Sequence, residues 1–66
     1  MNQFSASSFQ LRETGKWAPA GTLFVYSGDG VDIQEFEFPP ENRFDRKEEA
    51  DNFFANYFVK KGFFQK

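Results

Sequence analysis

Between residues 50 and 58 the apolar side chains Ala50, Phe53, Phe54, Tyr57 and Phe58 recur at i, i+3, i+4, i+7 and i+8. That spacing lays them along one broad face of an α-helix. No other feature constrains the fold as strongly, because a face carrying four aromatic rings has to be buried against something. The ends of the segment agree. Asp45 is expected as the N-cap, with Glu48 three residues on to close a capping box. Glu48, Glu49 and Asp51 stand at the positive end of the helix dipole, Lys60 and Lys61 at the negative end. Gly62 is placed for the left-handed residue after the helix, and Phe63 for folding back onto Phe58. These signals predict a helix over 46–61, with Phe54 and Tyr57 at the centre of the buried face and Phe53 and Phe58 flanking them.

What the helix packs on is predicted by the preceding residues. FQLR at 9–12 alternates apolar and polar, the pattern of a half-buried strand. TGKWAPAG at 14–21 is loop chemistry. TLFVY at 22–26 is β-branched and aromatic on both sides, as a central strand is. SGDG at 27–30 reads as a tight turn. VDIQEFEF at 31–38 is a third strand whose apolar phase changes midway. Either a β-bulge near Gln34 or Glu35 resets the pleat, or the two faces are divided along the strand. Pro39 and Pro40 end it. The expected architecture is α+β, one domain over 1–66: a three-stranded antiparallel meander with the second strand central, packed on one C-terminal helix (β-β-β-α). Residues 1–8, polar and serine-rich, are expected as a flexible arm.

A chain of 66 residues buries only ~60% of the surface its unfolded form exposes, so its core needs reinforcement. With no cysteine and no histidine, disulfides are impossible and the usual zinc, haem and iron–sulfur ligands are missing. Eleven phenylalanines, two tyrosines and a tryptophan are the alternative source of buried area. No apolar run approaches the ~20 residues that span a bilayer, so no membrane association is expected. The N-terminal residues lack a basic stretch followed by an apolar one, so no signal peptide is expected. Together with the missing cysteines this points to a cytoplasmic protein.

Catalysis is not expected. A serine or threonine nucleophile has no histidine base, and the spacing singles out no lysine. Glu35 and Glu37 share a strand face and read as its solvated side. SGDGVD at 27–32 lacks the twelve-residue ligand series of a calcium loop and its terminal glutamate. No catalytic, metal-binding or cofactor-binding residue and no cofactor is assigned.

Two placements stay open for Trp17: folded over a sheet edge to enlarge the core, or exposed as a contact residue beside Lys16 and Arg12. Three strands followed by a helix, with GKW at 15–17 and F-D-x-x-E-E-A at 44–50, resemble the Apetala-type (ERF) DNA-binding domains and the N-terminal arm domains of some phage and transposon integrases. The resemblance covers roughly residues 9–58. It implies a sheet that reads the major groove, with Arg12, Lys16 and Trp17 in the matching positions. The third strand departs from that pattern with Asp32, Glu35 and Glu37, and Pro19 follows closely on GKW.

Net charge is −2, a poor basis for general phosphate binding. The reading favoured by the residues is a non-enzymatic interaction module, binding an unknown protein partner or itself. Leu23 and Val25 are expected beneath the helix, and Phe24 and Tyr26 on the opposite, open face of the sheet, joined by Phe36 and Phe38. Trp17, Phe24, Tyr26 and Phe36 are the candidate partner-binding residues. The alternative is a nucleic-acid-binding domain using Arg12, Lys16 and Trp17.

Overall fold

The computed structural model describes all residues, 1–66. Its strands are β1 (Gln3–Ala6), β2 (Phe9–Gln10), β3 (Trp17–Ala18), β4 (Ala20–Ser27), β5 (Gly30–Glu37) and β6 (Phe64–Gln65), and its single helix is α1 (Lys47–Lys60). The fold is α+β, as expected: a largely antiparallel sheet with one C-terminal helix on one face. The sheet has four strands in the order β5-β4-β1-β6, with only the β1–β6 pair parallel. β2 and β3 form a separate two-stranded ladder.

The residues expected as a flexible arm are corrected by β1. Gln3–Ala6 is an inner strand, with Phe4 opposite Leu23 on β4 and opposite Gln65 on β6. Its serine and glutamine conceal a period of two, in which Phe4 and Ala6 turn toward the helix and Gln3 and Ser5 away. A strand paired on both sides has its backbone bonds supplied by its neighbours, so it needs no long apolar run. The strand expected at 9–12 shortens to β2 and leaves the main sheet, pairing Phe9 with Ala18 and Gln10 with Trp17. The expected loop at 14–21 contains β3 and the start of β4, joined by the fully buried Pro19.

The β4–β5 register is continuous from Ala20↔Glu37 to Ser27↔Gly30, so no bulge resets the pleat. The faces are instead divided along β5. Val31, Ile33, Glu35 and Glu37 lie on one side, and Phe36 on the other with the helix. The expectation that Phe36 and Phe38 join the open face is therefore corrected. Phe36 packs edge-on against Phe58 (5.3 Å, 83°), and Phe38 is buried edge-on against Phe54 (6.0 Å, 89°).

The helix ends differ in how well local chemistry describes them. At the C-terminus, Phe63 N–H donates to the Phe58 carbonyl (2.9 Å) and Gly62 N–H to that of Val59 (3.0 Å). Gly62 has φ 93°, and the Phe63 ring sits 5.3 Å from that of Phe58. This is the complete Schellman ending that the residues predict. At the N-terminus the expected Asp45 cap is corrected: Arg46 is the N-cap, extended in backbone and without a side-chain cap bond. Asp45 is drawn away by an ion pair with Lys16, and the hydrogen bond from Lys16 holds its carboxyl below the usual carboxylate range.

Phe4, Leu23, Phe38, Phe54 and Phe58 form the core, with Phe36, Phe53 and Phe63 packed around it. Tyr57, expected at the centre of the helix face, lies at its margin and is 38% exposed. Gly21 sets the closeness of the layers. A Cβ there would lie 2.7 Å from the Phe54 ring and also strike the Ser5 carbonyl, so both strand and helix approach through the missing side chain.

One polar contact ties the N-terminal segment to the helix. Ser8 N–H donates to Asp51 Oδ1 (2.9 Å), while Lys47 Nζ bonds the other oxygen (2.6 Å). Burial pushes the Asp51 carboxyl up, but the bonds from Lys47 and Ser8 outweigh it and hold the pKa below its ordinary 3.8. A carboxylate depressed in the folded state stabilises above its unfolded pKa and loses that contribution as pH falls through the folded value. Asp51→Asn is expected to cost about 1–2 kcal/mol at neutral pH. The loss should shrink in acid, where the wild-type carboxyl is also neutral. Urea melts at the two pH values check this, and an equal loss in both would show that the charge contributes nothing.

Candidate functional site

β4 is apolar on both sides, and one helix covers one side. Leu23 is buried beneath α1, with Val25 on the same face further out. Phe24 and Tyr26 point to the opposite face, the division the sequence predicts. Cross-strand pairing sets Ile33 beside Phe24 and Val31 beside Tyr26. On the other side of β1, Phe64 pairs with Gln3 and shares their face. Ile33 is 59% exposed, Phe64 56%, Val31 46% and Tyr26 42%. Four large apolar side chains exposed on one face of a chain this small make an apolar patch that neither the helix nor another strand covers.

Two groups partly screen the patch. Lys66 Nζ lies 4.0 Å above the centroid of Phe24, a cation–π contact. The Tyr26 hydroxyl donates to Gln3 Oε1 (3.0 Å), and Tyr26 N–H donates to Asn2 Oδ1 (3.0 Å). The hydroxyl bond ties the outer end of the ring to β1, and Tyr26 remains exposed.

The candidate residues thus separate. Phe24 and Tyr26 come together on the open face, and Phe36 belongs to the core side. Trp17 is half-buried on β3, where its backbone exchanges two bonds with Phe44 (2.7 and 3.0 Å). β3 adjoins the Ala20 end of β4. Phe24 and Tyr26 lie four and six residues further, about 13 and 20 Å along the strand. Val31, Ile33 and Phe64 complete the patch and were not singled out in the sequence. The alternation of Val31 with Ile33 was visible there, but its side of the sheet depends on register with β4.

The basic side chains do not converge. Arg12 and Lys16 lie in the β2–β3 connection near the start of α1, and Lys16 is already paired with Asp45. Lys60 and Lys61 stand at the far end of the 14-residue helix, about 21 Å away at ~1.5 Å per residue. Acids occupy β5, where Asp32, Glu35 and Glu37 take no part in the three ion pairs of the protein. No three acidic side chains gather in a set able to hold a metal ion, and no helix is long and apolar enough to cross a membrane. Comparison with protein-family models, with curated proteins and with solved structures yields no match for this chain.

Proposed function

We propose that this protein is a small non-enzymatic interaction module that binds a protein surface, its own or a partner's, through the open face of its sheet. The observation that carries the reading is the exposed set Tyr26, Val31, Ile33 and Phe64 opposite the helix, with the half-buried Phe24 among them. Burying such rings is worth roughly 25 cal/mol per Å² of apolar surface removed from water, and aromatic side chains dominate interface energetics. The pairing of Lys16 with Asp45, and the distance of Arg12 and Lys16 from Lys60 and Lys61, support this reading over nucleic-acid binding, because the candidate cations do not act together on phosphates.

The test is association against concentration. Sedimentation velocity from micromolar to millimolar protein is expected to show reversible self-association of the wild type, or capture of a partner in its place. The double change Phe24→Ser with Tyr26→Thr is expected to abolish association while costing less stability than any core truncation. A wild type monomeric and unbound throughout, and unfolded by that double change, would make these rings core and remove the site.

A further inference from the structure

β5 is the outermost strand of the sheet, with β4 on one side and no strand on the other. Two bonds identify which of its backbone groups are unused. Phe38 N–H donates to the Pro19 carbonyl (3.0 Å), which makes Pro19 and Phe38 a bonded pair one step beyond Ala20↔Glu37. Tyr26, opposite Val31, turns its N–H the other way, to Asn2. Alternation along an antiparallel ladder then directs Gly30, Asp32, Gln34 and Phe36 toward β4. The N–H and C=O groups of Val31, Ile33, Glu35 and Glu37 point outward. These four residues also place their side chains on the open face, apolar toward the hairpin tip and acidic toward its base.

We propose that the β5 edge takes up an extended segment of a partner protein, added as a fifth antiparallel strand. Its open-face side chains, from N- to C-terminus, would be basic, basic, apolar and apolar. The proposal rests on the open-face reading above for its apolar half and deepens it by naming the partner's chemistry. Such a strand meets Glu37, Glu35, Ile33 and Val31 in turn, so each charge finds its opposite and each apolar chain extends the patch. Glu35 and Glu37 have no ion-pair partner within the chain. Beside them is a cavity of about 290 Å³, walled by Ser7, Phe9 and Thr22. It has room for a lysine or arginine stem, with the half-exposed Phe9 ring as a cation–π surface.

A second copy of this chain is a poorer occupant. Any antiparallel β5–β5 register that engages at least three of the four outward residues sets a carboxylate against an apolar side chain or another carboxylate. The acids that guard this edge against itself select a basic strand.

The experiment titrates isotope-labelled protein with the acetylated, amidated peptide Lys-Thr-Lys-Thr-Val-Thr-Val and follows amide shifts. The expected shifts centre on Val31, Ile33, Glu35 and Glu37. A peptide with glutamate for both lysines is expected to bind at least about tenfold more weakly. Ile33→Pro removes an outward N–H while leaving the ladder to β4 intact, and should weaken binding by a similar factor in a protein that keeps its amide dispersion. The surface pair Glu35→Lys with Glu37→Lys should reverse the preference between the two peptides. Shifts centred elsewhere, no shifts at millimolar peptide, or equal binding of both peptides would overturn the proposal. So would an unchanged preference in the lysine variant, or shifts of the Val31, Ile33, Glu35 and Glu37 amides on concentrating the Phe24→Ser/Tyr26→Thr protein alone, in which the open face is disabled. Sedimentation of the Phe24/Tyr26 variant is read separately, so the edge can fail while the open face stands.

Discussion

Replacing Phe54 with alanine is expected to leave most of the protein unfolded at room temperature. Its ring is fully buried and lies within 4.8 Å of Phe58, 6.0 Å of Phe4 and of Phe38, and 6.4 Å of Phe36, centroid to centroid. It also fills the space left by Gly21 on the strand beneath. Truncating a buried phenylalanine costs about 3–5 kcal/mol, the lost transfer energy plus that of the cavity left behind. Domains near the lower end of the usual range have only ~5 kcal/mol in total. Urea unfolding followed by circular dichroism reads the result directly. Tyr57→Ala, at the exposed margin of the same helix face, is the internal control and should cost far less. A Phe54→Ala variant with an unchanged midpoint would show that the helix does not pack on the sheet through this ring.

The second large effect is expected at Phe4→Ala, the one large apolar residue among the polar and small residues 2–8. Phe4 is fully buried, 6.0 Å from Phe54 and 6.5 Å from Phe58, on a strand bonded to β4 and to β6. The loss should again be about 3–5 kcal/mol. Removing residues 1–8 altogether should be worse, because β1 is the only link between β6 and the rest of the sheet. Thermal melts of the two variants settle the matter. A protein that tolerates either change would have the N-terminal residues as a mobile arm after all.

These two rings mark where sequence reasoning reaches and where it stops. Phe54 was legible because its neighbours at i−4, i+3 and i+4 are apolar and the helix around it is bounded by local signals. The Gly62–Phe63 ending was legible for the same reason, since every bond in it joins residues at most five apart. Phe4 was not, because one ring among serine, asparagine and glutamine gives no period to count. Its burial comes from pairing with β4 and β6, some 20 and 60 residues away, and from the Phe54 and Phe58 rings of the helix, some 50 residues away. Asp45 misled in the opposite direction: a sound local cap was outcompeted by Lys16, 29 residues distant.

The candidate site divides in the same way. That Phe24 and Tyr26 face away from the helix follows from alternation on a strand with apolar residues on both sides and a single helix to cover them. That Val31, Ile33 and Phe64 stand with them, and that Phe36 does not, depends on cross-strand register.

By itself the sequence determined the class of the fold, the helix and its C-terminal stop, the aromatic make-up of the core and the two-sided character of β4, all of which are encoded by short-range periodicity and composition. Only the tertiary structure decided that the first residues fill the sheet's interior, that β5 runs without a bulge, and that its acidic edge is left open. Each of those rests on hydrogen bonds between strands whose partners lie far apart in the chain, and local pattern carries no information about which distant backbone supplies them.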